Sequence, residues 1–315
     1  MGKLPKILWI IFITWNIQGC SPKHISTTFE GESMTIPYRI VLGKTLTSAE
    51  KESFKQEIHA AFHKIDTIYN NWNPSSELSK VNRAPSQVAT PISQELLEFL
   101  KQIQHLYDIS EGRFDPTLGK LKTFWITHLK HHSLPDEETW RRYYEQSGWK
   151  QIIIDFTHGT ITKKTCQVEL DFCGVVKGFA VDNLLTICKH FCPNSYVEWG
   201  GEIKTSGHHP SGRPWRIASS SMLEIVEIQD QAIATSGNYY QKWTIDGKTY
   251  THILDPYTGK PLDIQDYPIL SATVIHPDCA FADAMATVLM TFPNKTEALA
   301  WAKEKNLLVY INDNA

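Results

Sequence analysis

Apolar positions recur at a helical period between residues 48 and 69, where Phe54, Ile58, Ala61, Phe62, Ile65 and Ile68 fall on one face. Ser48, followed by Lys51 and Glu52, is placed to cap the start of that helix. Asn70-Asn71-Trp72-Asn73-Pro74-Ser75-Ser76 breaks the period and predicts a loop with Trp72 at its tip. Ser76 and Ser79 then cap a short turn ending near Asn82. A second amphipathic helix is predicted over 93–110, with Leu96, Leu97, Leu100, Ile103, Leu106 and Tyr107 as its apolar face. Glu111 to Thr117 ends it. Residues 120–132 mix lysine, histidine and aromatics and read as an irregular connection, and 136–146 read as a short helix.

Short or alternating apolar runs predict strands. One long strand is expected over 29–42, and a pair at 152–154 and 160–162 about a His158-Gly159 turn. Further strands are expected at 195–199, 215–218, 225–228, 233–236, 243–245, 251–254, 270–275 and 307–311, with Asp246-Gly247 as a hairpin turn. Between them, helices are predicted from Lys177 to Phe191, over 279–291 and over 296–305. Strands and helices are mixed, not strictly alternating. This is the pattern of an α+β fold in a single domain, with a mixed, largely antiparallel sheet and helices packed on it.

Length alone allows one large domain or two small ones, and the composition is that of a globular protein with a full core. The chain has 315 residues, 42% hydrophobic and 21% charged. A formal net charge of −3 leaves no basic footprint for nucleic acid. Ten Trp and twelve Tyr serve either packing or stacking on a planar ligand. At the N-terminus, Lys3 and Lys6 precede an apolar run from Ile7 to Trp15 and then Gly19-Cys20, the layout of an export signal. That run is too short for a mature membrane span. Ile17-Gln18-Gly19-Cys20 resembles a bacterial lipobox, in which Cys20 becomes the lipidated N-terminus. Plain secretion with Cys20 free is the other reading. The expected organisation is a signal peptide over 1–19, a tether over 20–28 and one domain over 29–315. Beyond Cys20 the cysteines are odd in number and cannot all pair. Cys188 and Cys192 flank His190 without matching a standard zinc pattern, and read as buried thiols or one bridge.

The candidate chemistry centres on residues 169–182. An apolar run ends in Asp171, a Gly174 turn follows, and Lys177 and Gly178 open a helix. Strand, glycine turn and helix entry form a place where backbone N–H groups and a cation can meet phosphate. The same residues can equally be turn chemistry, and the stretch is neither a P-loop nor a GxGxxG. Asp283 and Thr287 are four apart on one face of an Ala-rich helix, a carboxylate and a hydroxyl suited to Mg²⁺ or simply exposed polar residues. His252 precedes an Asp255-Pro256 turn and is either a proton carrier or a structural histidine. Gly200-Gly201-Glu202 and Thr235-Ser236-Gly237-Asn238-Tyr239 are two further polar turns.

Taken in order, these stretches resemble the ApbE family. The resemblance is carried by Asp171-x-x-Gly174-x-x-Lys177-Gly178, Gly200-Gly201-Glu202, Thr235-Ser236-Gly237-Asn238-Tyr239, His252-Ile253-Leu254-Asp255-Pro256-x-Thr258-Gly259 and Ala282-Asp283-Ala284-x-Ala286-Thr287. Upstream, Gly31-x-x-Met34-Thr35, Ser76-Glu77-Leu78-Ser79-x-x-Asn82 and Gly112-Arg113-Phe114-Asp115-Pro116-Thr117 add to it. Each is weak alone, and all of them in one order, over residues 29–311, are specific.

The resemblance implies an ApbE-like fold related to the T-fold, and FAD:protein FMN transfer to a Thr or Ser hydroxyl with release of AMP. It implies FAD as substrate and Mg²⁺ as cofactor. It implies that Met34, Trp72, Arg113, Phe114, Asp115, Asp171, Lys177 and Leu254 hold the flavin nucleotide. The metal would be held by the Gly174 carbonyl, Asp283 and Thr287, with His252 as general base and Asp283 as the second candidate. Acceptors would be flavin-carrying subunits of exported or membrane redox complexes, and the enzyme a membrane-anchored lipoprotein facing the periplasm. Two other readings stand beside it: a Mg²⁺-dependent FAD pyrophosphatase that uses the same site and yields free FMN and AMP, and a lipoprotein that only binds flavin, without need of Asp283, Thr287 or Mg²⁺.

Overall fold

The structure, a computed structural model, describes residues 25–218, 225–239 and 241–313. Cys20, the segment read as a signal peptide, and Tyr240 lie outside these residues. No helix among the described residues is long and apolar enough to cross a membrane.

The chain opens with a hairpin, β1 (Thr27–Ser33) and β2 (Ile36–Leu42), where the alternation predicts one strand. The turn falls on Met34 and Thr35, at φ 51° and 62°. Both sit in the left-handed region that primed hairpin turns need, without the Asn or Gly that marks such turns in a sequence. β1 also starts inside the expected tether. Thr27 is fixed there, its Oγ1 donating to Lys44 O at 2.9 Å and accepting from Leu46 N at 3.0 Å. Helix α1 (Ser48–Ile68) is capped by Thr47 rather than Ser48, in a capping box with Glu50.

Next come α2 (Glu77–Arg83), β3 (Thr90–Pro91) and α3 (Gln94–Ile109). The span read as an irregular connection is a helix, α4 (Gly119–Lys130), burying Leu121, Trp125 and Leu129 at four-residue spacing. Then follow α5 (Glu137–Glu145), β4 (Ile152–Asp155), β5 (Thr160–Lys163) and α6 (Val176–Phe191). Residues 168–170, expected to be a strand, make only an isolated parallel bridge between Glu169 and Leu118. The chain continues through β6 (Ser195–Trp199), β7 (Glu202–Ser206), β8 (Trp215–Ile217), β9 (Val226–Ile228) and β10 (Ala232–Gly237). A three-stranded unit follows, β11 (Lys242–Ile245), β12 (Lys248–Asp255) and β13 (Lys260–Asp263). β14 (Ile269–His276), α7 (Cys279–Met290), α8 (Lys295–Glu304) and β15 (Leu308–Asp313) complete it.

The main sheet has seven strands in the order β1-β2-β6-β7-β10-β14-β15. Every ladder among the described residues is antiparallel, so the expected mixed sheet reduces to that one isolated bridge. Strand alternation sorts the two faces. Ala232 and Ala234 of β10 join the large core beneath α6 and α7, while Ile233 joins Ile203, Ile275, Trp215, Ile217 and Ile228 on the other face. The alanines let α7 lie close on β10 and β14. A third small cluster, Leu118, Leu121, Trp125, Trp140 and Leu254, ties α4 and α5 to β12. It sets the three-stranded unit beside the end of the main sheet where the polar turns gather.

Candidate active site

The segment before α6 is held from three sides. Asn82 clamps Leu170 through both backbone groups, accepting from its N–H at 2.8 Å and donating to its carbonyl at 2.9 Å. The Asp171 N–H donates to Pro116 O at 2.7 Å, and Asp171 Oδ1 accepts from Cys173 N at 2.9 Å. Asp171 Oδ2 pairs with Lys122 Nζ at 2.8 Å. Burial pushes the Asp171 carboxyl upward, but Lys122 and the Cys173 donors outweigh it and hold it below the usual value. The result is a rigid turn that presents Gly174 at the floor of a cleft. A Cβ on Gly174 would stand 3.3 Å from Thr287 Oγ1, so the Gly174 backbone and the Thr287 hydroxyl are neighbours.

Thr287 and Asp283 come from α7, which crosses α6 at close range. Asp182 on α6 accepts from the Cys279 and Ala280 N–H groups at the start of α7. One turn earlier, the Gly178 N–H donates to Asp283 Oδ2 at 3.0 Å. Asp283 Oδ1 takes no hydrogen bond among the described residues. Thr287 Oγ1 shares a 2.9 Å hydrogen bond with Ser236 Oγ of β10. Beside them Lys177 Nζ lies 2.5 Å from Glu202 Oε1. Burial works against the lysine's charge, yet Glu202 and then Asp283 hold Lys177 protonated. Both carboxyls are pushed upward, mainly by burial.

Two adjoining clefts meet at this point, of about 820 and 760 Å³. The first brings together Arg113, Asp171, Gly174, Lys177, His252, Leu254, Asp283 and Thr287. The second holds Met34 at the β1–β2 turn. Trp72, Cys173 and Lys177 line both. Trp72 is 83% exposed at its loop tip, with its indole uncovered at the boundary. The Arg113 guanidinium is sandwiched between Tyr257 (4.6 Å) and Phe292 (4.0 Å) and donates to Thr291 O at 3.2 Å. Asp115, by contrast, spends its carboxylate on its own surroundings. It accepts from Thr117 N, Thr117 Oγ1 and Trp149 N, and burial raises its pKa. Phe114 is buried beneath the turn, its N–H donating to Ser110 Oγ at 3.0 Å. Both shape the turn that places Arg113, and both line the first cleft with it. His252 lies on β12 with a buried Nδ1 that has no hydrogen-bond partner among the described residues. Burial and the nearby Lys122 ammonium push its pKa below the usual value, against smaller opposing effects of the Gln241 backbone and Asp171.

Residues 34–311 match the ApbE family, nearly the whole described chain. The chain belongs to the ApbE family. It is 57% identical over its full length to the FAD:protein FMN transferase of Chlamydia pneumoniae, covering 99% of that protein. It is 52% identical to that of Chlamydia trachomatis, with 99% of each covered. Among solved structures it resembles the flavinyl transferase ApbE of Pseudomonas stutzeri in its apo form, with a TM-score of 0.82 and 26% identity over 92% of this chain and 91% of that one.

Within this ApbE chain the donor set suits a hard divalent cation. Asp283 and Glu202 bury two carboxylates around one ammonium, and burial pushes both toward protonation against the pull of Lys177, with Asp283 adding to the push on Glu202. A divalent cation beside Asp283 relieves it. Among the described residues no cluster of three or more His, Cys, Asp or Glu forms a metal site. The three residues that the family resemblance makes ligands, Asp283, Thr287 and Gly174, line one cleft and would offer only oxygen donors, the kind Mg²⁺ prefers. Among the described residues Cys166, Cys173, Cys188, Cys192 and Cys279 are free thiols that form no bridge with one another.

Sequence reasoning missed Lys122, because its segment was read as a connection. The Leu121, Trp125, Leu129 spacing carried the helical signal that would have placed it. It also missed Ser236 as the partner of Thr287, a long-range pairing that no local pattern encodes.

Proposed function

We propose that this chain transfers the FMN moiety of FAD to a Thr or Ser hydroxyl of an acceptor protein and releases AMP. The observation that carries the reading is the convergence of Asp171, Gly174, Lys177, His252, Asp283 and Thr287 on one cleft. The names of the Chlamydia relatives support the same activity.

Asp283, Thr287 and the Gly174 carbonyl would hold Mg²⁺. Bound there, the cation supplies charge neutralisation at the pyrophosphate. Lys177, kept protonated by Glu202, adds a fixed positive charge where the two clefts meet. Trp72 offers a planar face to an aromatic ring of FAD, and Arg113 presents a guanidinium fixed by two rings. His252, kept neutral at physiological pH by its surroundings, accepts the proton of the acceptor hydroxyl on a ring nitrogen. The acceptor oxygen bonds to the FMN phosphorus as the bond from that phosphorus to the bridging oxygen breaks. That oxygen leaves with AMP.

Export, lipidation at Cys20 and a periplasmic membrane site belong to the same proposal and rest on the N-terminal residues. So does the acceptor class, flavin-carrying subunits of exported or membrane redox complexes. The test is the intact mass of an exported flavoprotein fragment incubated with enzyme, FAD and Mg²⁺, with and without EDTA. An EDTA-sensitive gain of one FMN phosphoester supports the transferase. Free FMN and AMP with no gain replaces it with FAD pyrophosphatase. Binding without cleavage replaces it with a flavin-binding protein.

A further inference from the structure

Glu202 is a buried carboxylate whose only part in the chemistry just described is to keep Lys177 charged, and it makes the closest polar contact at the junction of the clefts. It opens β7 directly after the two-residue Gly200-Gly201 turn, opposite Trp199 of β6. Both glycines have positive φ, 62° and 98°, as a tight turn there requires. A Cβ on Gly200 would stand 2.9 Å from Ile36 Cγ2 and 3.2 Å from Lys177 Cδ, so the lysine stem passes over a gap that glycine leaves. The turn thus sets the carboxylate at the end of a channel for Lys177. Glu202 is 1% exposed, with Oε1 2.5 Å from Lys177 Nζ. Its Oε2 is buried and has no hydrogen-bond partner among the described residues.

A buried carboxylate oxygen left without a donor costs stability. A lysine also carries a long, flexible stem whose head needs an acceptor to be fixed in space. Both features are explained if the carboxylate serves to aim the ammonium. Lys177 is the charged residue that lines both clefts, so its head sits where a ligand spanning the two carries its linking phosphates. We infer that Glu202 is a positioning residue, holding the Lys177 ammonium at the cleft junction to receive the diphosphate of a bound dinucleotide. The inference rests on the FAD reading of the clefts for its ligand class. Its test needs no transfer activity.

The test is a double-mutant cycle of full-length wild type, E202Q, K177M and E202Q/K177M, read as the Kd for ADP by calorimetry, with riboflavin as a phosphate-free control. Glutamine keeps the shape and an acceptor oxygen but removes the charge that orders Lys177. E202Q and K177M are each expected to weaken ADP about tenfold and leave riboflavin unchanged. The double variant is expected to be no weaker than K177M alone, because Glu202 acts through the lysine. E202D, which keeps the charge on a shorter stem, should recover part of the loss, and it closes the cycle with K177M if E202Q does not fold. Multiplying losses, equal weakening of riboflavin, unchanged ADP binding in the glutamate variants, or no ADP binding by wild type each overturns the inference. ADP binding with the expected cycle but no FMN transfer would keep it and remove the transferase reading alone.

Discussion

The Gly178 N–H donates to Asp283 Oδ2 at 3.0 Å, at a point where α6 and α7 are too close for any side chain on residue 178. A Cβ there would stand 2.3 Å from Cys279 O and 2.6 Å from Cys279 C, both backbone atoms that cannot rotate away. Gly178→Ala must therefore push the two helices apart. Overpacking of this kind costs about 1–3 kcal/mol. The expected result is a lower Tm, by roughly 2–12 °C for a domain of this size. Because the shift also moves Asp283, Mg²⁺ affinity should fall with it. Calorimetric Mg²⁺ titration and a melting curve check both, and an unchanged Tm would refute the close crossing.

Asp283 itself separates binding from turnover. Asp283→Asn keeps the volume and an acceptor for Gly178 but removes the ligand charge. It also removes a buried carboxylate whose ionisation burial opposes, so the fold should be kept. Mg²⁺-dependent AMP release is expected to drop more than about 100-fold, with FAD still bound. Chromatographic AMP detection decides. Release that stays near wild type, or that survives EDTA in the native enzyme, would remove Asp283 from the metal role.

Thr287→Val tests the second ligand. It removes the 2.9 Å hydrogen bond with Ser236, worth about 0.5–1.5 kcal/mol, and a ligand oxygen beside Gly174. A small loss of Tm is expected together with a rise in the Mg²⁺ concentration giving half-maximal AMP release. Thr287→Ser keeps the oxygen and should restore the metal dependence. Equal metal dependence in both variants would assign Thr287 to packing alone.

These contacts also show where the sequence was readable. α1 and α3 were legible because one face of each is buried, so the 3.6-residue period is intact. The Met34–Thr35 turn was hidden because its left-handed residues are a methionine and a threonine, and only pairing of Thr27 with Leu42 through Ser33 with Ile36 enforces it. β13 was hidden for a related reason: Lys260–Asp263 is short, carries Pro261, and is a strand only because β12 pairs with it. At the site, Asp283 and Thr287 could be matched because they lie on one helix turn. The Lys177–Glu202 and Thr287–Ser236 contacts join residues far apart in the chain, and local patterning has no term for them.

Trp72 gives a binding prediction free of folding effects. It is 83% exposed, and its loop is held instead by Asn70 Oδ1 accepting from the Trp72 N–H at 2.9 Å. Trp72→Ala should leave Tm within about 1–2 °C, since exposed substitutions stay within about 0.5 kcal/mol. Stacking of an aromatic pair is worth about 0.5–1.5 kcal/mol, so the FAD Kd should rise about two- to tenfold. Trp72→Phe should recover most of it. Fluorescence titration with FAD reads the change, and identical Kd values for all three proteins would take Trp72 out of the ligand contact.

His252 sets the pH dependence. Burial first, and then the Lys122 ammonium, push its pKa below the usual value of about 6.5. As the base it must be neutral, so the transfer rate should be flat above about pH 6.5 and fall as the pH drops through the lowered pKa. Folding stability follows the same sign. The unfolded imidazole takes a proton near pH 6.5 while the folded one resists, so this contribution is present above that pH and is lost as the pH falls. Lys122→Met removes a cation from beside the ring and frees Asp171 to stabilise the imidazolium. The acid limb of the rate profile should then move to higher pH. His252→Gln should lower the rate about 10²- to 10⁴-fold and abolish the limb, with FAD affinity unchanged. A limb that persists in His252→Gln, or that does not move in Lys122→Met, would assign the proton to another group.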